Sequence, residues 1–162
     1  MNRRISTTTV LLGLVIVALP QASFAQSNPF PGTWQLNVAK SKFAGPPPKS
    51  LTLNVQAEGR GLKFTFVGVD AEGNPINDTV TAVFDGMPHP ADNPNFDARA
   101  AARVDASTII SSATKAGRLV ETQTGAVSSD GKTQTLTTTG INANGQLITS
   151  IAVYDKRCCG YQ

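Results

Sequence analysis

Residues 50–69 read SLTLNVQAEGRGLKFTFVGV, two runs of alternating apolar and polar side chains that meet at Glu58-Gly59. In the first run Leu51, Leu53 and Val55 share one face against Thr52, Asn54 and Gln56. In the second, Leu62, Phe64 and Phe66 oppose Lys63 and Thr65. Successive side chains of a strand point to opposite faces, so this period of two predicts an antiparallel hairpin with one dry and one wet side. The pattern repeats outward in both directions. Turn signals recur at Glu72-Gly73-Asn74, Asp85-Gly86, Ala116-Gly117, Asp130-Gly131 and Asn144-Gly145. Gly59, Gly73 and Gly86 mark an even beat, which Gly117, Gly131 and Gly145 resume after a gap wide enough for two further strands. Asp-Gly and Asn-Gly accept the positive φ angles of tight hairpins.

Nine strands are predicted, near 32–38, 50–57, 62–69, 76–85, 96–104, 108–113, 118–128, 133–140 and 146–155. In the fifth, Phe96, Ala98, Ala100, Ala102 and Val104 form the expected apolar face against Asp97, Arg99 and Arg103. Ala39–Lys49 and Met87–Asn95 are the long connections, and no segment reads as an ordinary helix. Sequential hairpins leave two open edges unless the sheet closes on itself. The fold class expected is all-β: an antiparallel up-and-down meander closed into a barrel of about 8–10 strands. A two-sheet sandwich is the alternative.

The ends of the chain carry different information. Arg3 and Arg4, the apolar run Val10–Leu19 and the small-x-small site Ser23-Phe24-Ala25 have the layout of a secretory signal peptide. The apolar run is too short to span a bilayer, which takes about 20 residues. Residues 1–25 are therefore read as a signal peptide, 26–157 as the barrel domain and 158–162 as a C-terminal tail. The expected location is periplasmic or secreted, in a bacterium, and soluble after cleavage. Loss of Arg3 and Arg4 takes the net charge of the 162-residue chain from +3 to +1. So slight a balance, with few aromatics and no basic stripe, argues against a nucleic-acid partner. Hydrophobic residues make up 40% and charged residues 15% of the chain. That composition excludes a disordered chain. Cys158 and Cys159 are adjacent, so they cannot staple distant parts of the chain together. Their own disulfide state is left open.

Gly32-Thr33-Trp34 opens the first strand and Val153-Tyr154-Asp155-Lys156-Arg157 closes the last. This pairing resembles the calycin superfamily, the lipocalins and fatty-acid-binding proteins. More narrowly, GTWQLNVAKSK (32–42) and SSDGKT (128–133) are similar to motifs of small secreted bacterial proteins described as lipocalin-like. The resemblance covers essentially the whole mature chain, without the long helix and tail disulfide of true lipocalins. It implies that Gly32 and Trp34 close one barrel end, with Lys156 or Arg157 lying across the indole. It also implies a habit of binding small apolar molecules.

His89 is the single histidine, which excludes multi-histidine metal sites. No nucleophile elbow, phosphate loop or Cys-x-x-Cys pair is present. Asp70, Glu72, Asp85 and Asp130 sit at turns, where a carboxylate caps the backbone. No catalytic residue, no metal and no cofactor is expected, and the protein is read as a monomeric non-enzyme. A barrel enzyme built on His89 or a rim carboxylate is a distant third reading. The candidate ligand is a small hydrophobic molecule inside the barrel, held by Leu51, Leu53, Phe64, Phe66, Val80, Phe84 and Phe96. The alternative is a filled core and a structural or interaction role, since a barrel of this size either packs its interior or holds one small ligand.

Overall fold

The computed structural model describes residues 28–142 and 144–157. The predicted signal peptide and the tail with Cys158 and Cys159 lie outside the described residues. Ten strands follow one another: β1 (Gly32–Leu36), β2 (Ser50–Glu58), β3 (Gly61–Val69), β4 (Pro75–Val83), β5 (Pro88–Asn93), β6 (Phe96–Arg103), β7 (Thr108–Lys115), β8 (Arg118–Val127), β9 (Thr133–Ile141) and β10 (Leu147–Lys156). One 3₁₀ turn, Val38–Lys40, interrupts them. All form a single sheet in the order β4-β3-β2-β1-β10-β9-β8-β7-β6-β5, rolled into a nearly closed antiparallel barrel. The barrel replaces the sandwich alternative.

The nine predicted strands are present, and the segment read as the Met87–Asn95 connection supplies the tenth. Proline removes a ladder donor, which is why Pro88-His89-Pro90 looks like a loop. Such prolines are tolerated on an edge strand, and β5 is one, laddering with β6 alone. Across the remaining gap it is β6 that approaches the other edge, β4, and no ladder joins β4 to β5 or β6. Closure is thus incomplete in backbone terms, with a seam between β4 and the β5–β6 pair.

The face assigned to β6 is corrected. Ala101 is buried, Val104 is 60% exposed, and Arg99 rather than Ala98 or Ala100 lines the interior. Phe96, at the first position of β6, and Arg99 both line the interior although their numbers differ in parity; the β5–β6 register slip between Pro90↔Ala98 and Asn93↔Phe96 puts its extra residue in β5.

Two glycines let β3 lie hard against its neighbours. A Cβ at Gly61 would lie 2.0 Å from the Ala82 carbonyl oxygen, and one at Gly68 would lie 2.1 Å from that of Ser50. Neither neighbour is the movable end of a side chain. Gly68→Ala is expected to lower stability by about 1–3 kcal/mol, the range for overpacking, read as a fall in the urea midpoint. An unchanged midpoint would show that the strands part there at no cost.

The lead-out of β1 explains the Asn-x-x-Lys-Ser-Lys part of the first motif. Asn37 caps the 3₁₀ turn by accepting from the Lys40 N–H, and its amide donates to Asp155 at 2.7 Å. Lys40 reaches the same carboxylate at 2.9 Å. These two partners, Asn37 first, hold the Asp155 carboxyl below its ordinary range. Ser41 accepts from the Val153 N–H, and Lys42 bridges to Ile151, so the chain returns to β10 after the turn. In the second motif, Asp130 accepts from the Ser128 hydroxyl and the Lys132 N–H, leaving it a turn carboxylate.

Candidate functional site

One end of the barrel carries the β2–β3, β4–β5, β6–β7 and β8–β9 turns together with the start of β1 and the end of β10. It is plugged. Phe30 and Trp34 are fully buried there, and the indole Nε1 donates to the Phe30 carbonyl at 2.9 Å. Lys156 stands opposite Trp34 in the β1–β10 register and lays its ammonium 4.8 Å from the ring centroid. Its Nζ also donates to the Pro29 carbonyl at 3.3 Å. Gly32 makes this possible: at φ +140° any added Cβ would press on the Lys156 stem at 3.0 Å. Arg157, one residue on, faces the other way and donates to the Gln35 amide oxygen at 2.8 Å. Of the two residues expected to cover the tryptophan, Lys156 does so and Arg157 does not. Arg103 adds a second cation outside the plug, 5.7 Å from the Phe30 centroid and 4.7 Å from that of Phe84. Tyr154 is buried in the same cluster, which pushes its phenol up to about 12.

Above the plug the interior is not filled. A cavity of about 270 Å³ remains. That is close to the lower end of the range for small-molecule sites. Its walls differ in character. Strands β2 to β4 contribute Leu53, Phe64, Phe66, Val80 and Ala82, with Phe84 just beyond β4. The register carries this wall: Leu53 stands opposite Phe66, and Phe64 opposite Val80. Strands β6 to β9 contribute Phe96, Arg99, Ser111, Glu121, Gln123 and Gln134 alongside Ala101, Ile109 and Leu136. The seam runs along the cavity, with Asp78, Val80 and Ala82 on one bank and Phe96, Arg99 and Ala101 on the other.

Six of the seven expected ligand-contacting residues, Leu53, Phe64, Phe66, Val80, Phe84 and Phe96, line this cavity. Leu51 is not among its lining; it packs on the buried cluster around Trp34 and Leu53 instead. The polar wall is the part that sequence reasoning misses. Arg99 donates to Glu121 at 2.8 Å and to the Ser111 hydroxyl at 2.9 Å, and its guanidinium stacks 4.5 Å from the Phe96 centroid. Burying a charge is costly unless it is paired, and this pairing is what admits an arginine to the barrel interior. Gln123 donates to the Thr138 hydroxyl.

His89 is half-exposed, with Nε2 3.0 Å from both Asp85 carboxylate oxygens, and is not part of the cavity lining. The Met87 N–H and the His89 ring hold the Asp85 carboxyl below its ordinary range. Among the described residues no three His, Cys, Asp or Glu side chains are grouped as metal ligands. No helix of the described residues is long and apolar enough to cross a membrane.

The architecture is a nearly closed ten-stranded antiparallel β-barrel, shut at one end by Trp34 under Lys156. No protein-family model matches the sequence, and no curated protein does. Among solved structures the chain is similar to zebrafish ileal bile acid-binding protein complexed with cholic acid, at 13% identity and a TM-score of 0.51, over 80% of this chain and 99% of that one. It is also similar to lobster apocrustacyanin A1, at 10% identity and a TM-score of 0.45, over 81% of this chain and 62% of that one. At 13% identity the likeness to the bile acid-binding protein is one of fold.

Proposed function

We propose that this chain is a carrier, not an enzyme, that takes one small hydrophobic molecule into the barrel interior. The observation that supports it is the unfilled cavity of about 270 Å³, walled on one side by Leu53, Phe64, Phe66, Val80 and Phe84. A stability-driven barrel of this size fills its interior with side chains, because voids forfeit packing contacts. The bile acid-binding barrel with a like fold is consistent with such a role. In the same reading residues 1–25 direct export and are removed, residues 26–157 act as a monomeric barrel in the periplasm or outside the cell, and 158–162 form a tail.

Native mass spectrometry of the exported protein, purified without detergent, tests this. A monomer mass beginning at Gln26, with extra mass that leaves on gentle activation, is the expected result. The apo form should then take up the neutral naphthalene fluorophore prodan with a blue-shifted emission. A protein that carries nothing and takes up no prodan sinks the carrier reading.

A further inference from the structure

The two walls of the cavity also say what kind of molecule it takes, an inference that rests on the carrier reading. The charged side chains of the lining are Asp78, Arg99 and Glu121, for a net charge of −1. Arg99 is already committed to Glu121 and Ser111, and Asp78 stands exposed at the seam. An incoming carboxylate therefore finds no free cation in the lining and meets a surplus negative charge. Two hydrogen-bonding atoms are left over. The Arg99 Nε donor and the Gln134 Oε1 acceptor are both buried and have no protein partner among the described residues, and Gln134 is only 1% exposed. Leaving a buried polar group unmade is unfavourable, so each such atom in a native structure calls for a partner. A hydroxyl is both donor and acceptor, so it can serve either atom. The aromatic wall opposite accepts an apolar skeleton. The geometry points to an uncharged, hydroxyl-bearing amphiphile, with its polar side toward β6–β9, and against free acids as the ligand class.

The test is displacement of prodan from the mature protein at pH 8 by 1-decanol and by decanoate, two probes of equal chain length. Decanol should compete at a concentration at least tenfold lower. Any apolar cavity penalises a carboxylate, so two variants separate the stated contacts from simple desolvation. Glu121→Gln releases Arg99 and should tighten decanoate at least tenfold while leaving decanol within twofold. Gln134→Met should weaken decanol about three- to tenfold, the worth of one hydrogen bond, with prodan uptake retained. Decanoate binding as tightly as decanol, or both variants behaving like the wild type, overturns the ligand class while the carrier reading stands. Failure of prodan and of both competitors to bind overturns the carrier reading with it.

Discussion

Trp34→Ala is expected to lower the unfolding free energy by about 3–5 kcal/mol, the range for deleting a buried aromatic side chain. Three losses coincide at this position. The indole is fully buried among Phe30, Leu53, Leu62 and Tyr154, so its removal opens a cavity that the surrounding ladders prevent from collapsing. The Phe30 carbonyl loses its Nε1 donor. Lys156 loses the ring beneath its ammonium. A cation over an aromatic face contributes about 0.5 to about 2 kcal/mol. Urea unfolding followed by far-ultraviolet circular dichroism reads the change, and tyrosine fluorescence replaces the lost tryptophan signal. Trp34→Phe keeps a ring and should fall between the two. If Trp34→Ala unfolded within about 1 kcal/mol of the wild type, well short of the usual cost of such a cavity, the plug would not be the keystone of the fold.

Phe64→Arg should abolish prodan uptake, with affinity down by at least tenfold, or about 1.4 kcal/mol. Phe64 is opposite Val80 on β4 and Val55 on β2, in the middle of the apolar wall. The substitution removes a ring whose burial against a ligand is worth about 1.5–3 kcal/mol. It also places a long cation in the space the ligand occupies, within the field of Asp78 and Glu121. Val67→Arg is the control: Val67 is on the same strand, 47% exposed on the outer face, and should leave uptake unchanged. Equal loss in both variants would point to a damaged barrel, and retained uptake in Phe64→Arg would place the probe elsewhere.

The sequence is most legible where a strand has one apolar face. In β2 and β3 the alternation of Leu51, Leu53, Val55 with Leu62, Phe64, Phe66 reports the inner face directly, because burial there is hydrophobic burial. It fails on the other side of the barrel for a physical reason. The inward positions of β8 are Glu121, Gln123, Gly125 and Val127, a series that reads locally as a solvated face. What makes Glu121 an interior residue is Arg99, two strands away and 22 residues earlier. No local pattern contains that pairing; only the β6–β7–β8 register brings the two charges together. The same blindness inverts the face of β6, where alanines look like core and arginines like surface. Likewise β5 is hidden by prolines whose meaning depends on the strand being an edge.

The β1–β10 ladder has a consequence for how the barrel comes into being. Every other ladder joins strands adjacent in the chain, but Gln35 and Arg157 meet across 122 residues. Joining segments so far apart costs loop-closure entropy that no hairpin in the meander incurs, and such non-local pairing slows folding. Until the last strand arrives, β1 offers one side as an unpaired edge, and such edges template aggregation. The first and last strands thus form the slow, vulnerable step of assembly. A chain cut short before β10 would lose both ladders that β10 makes, and with them the lid over Trp34 and the protection of the β1 edge.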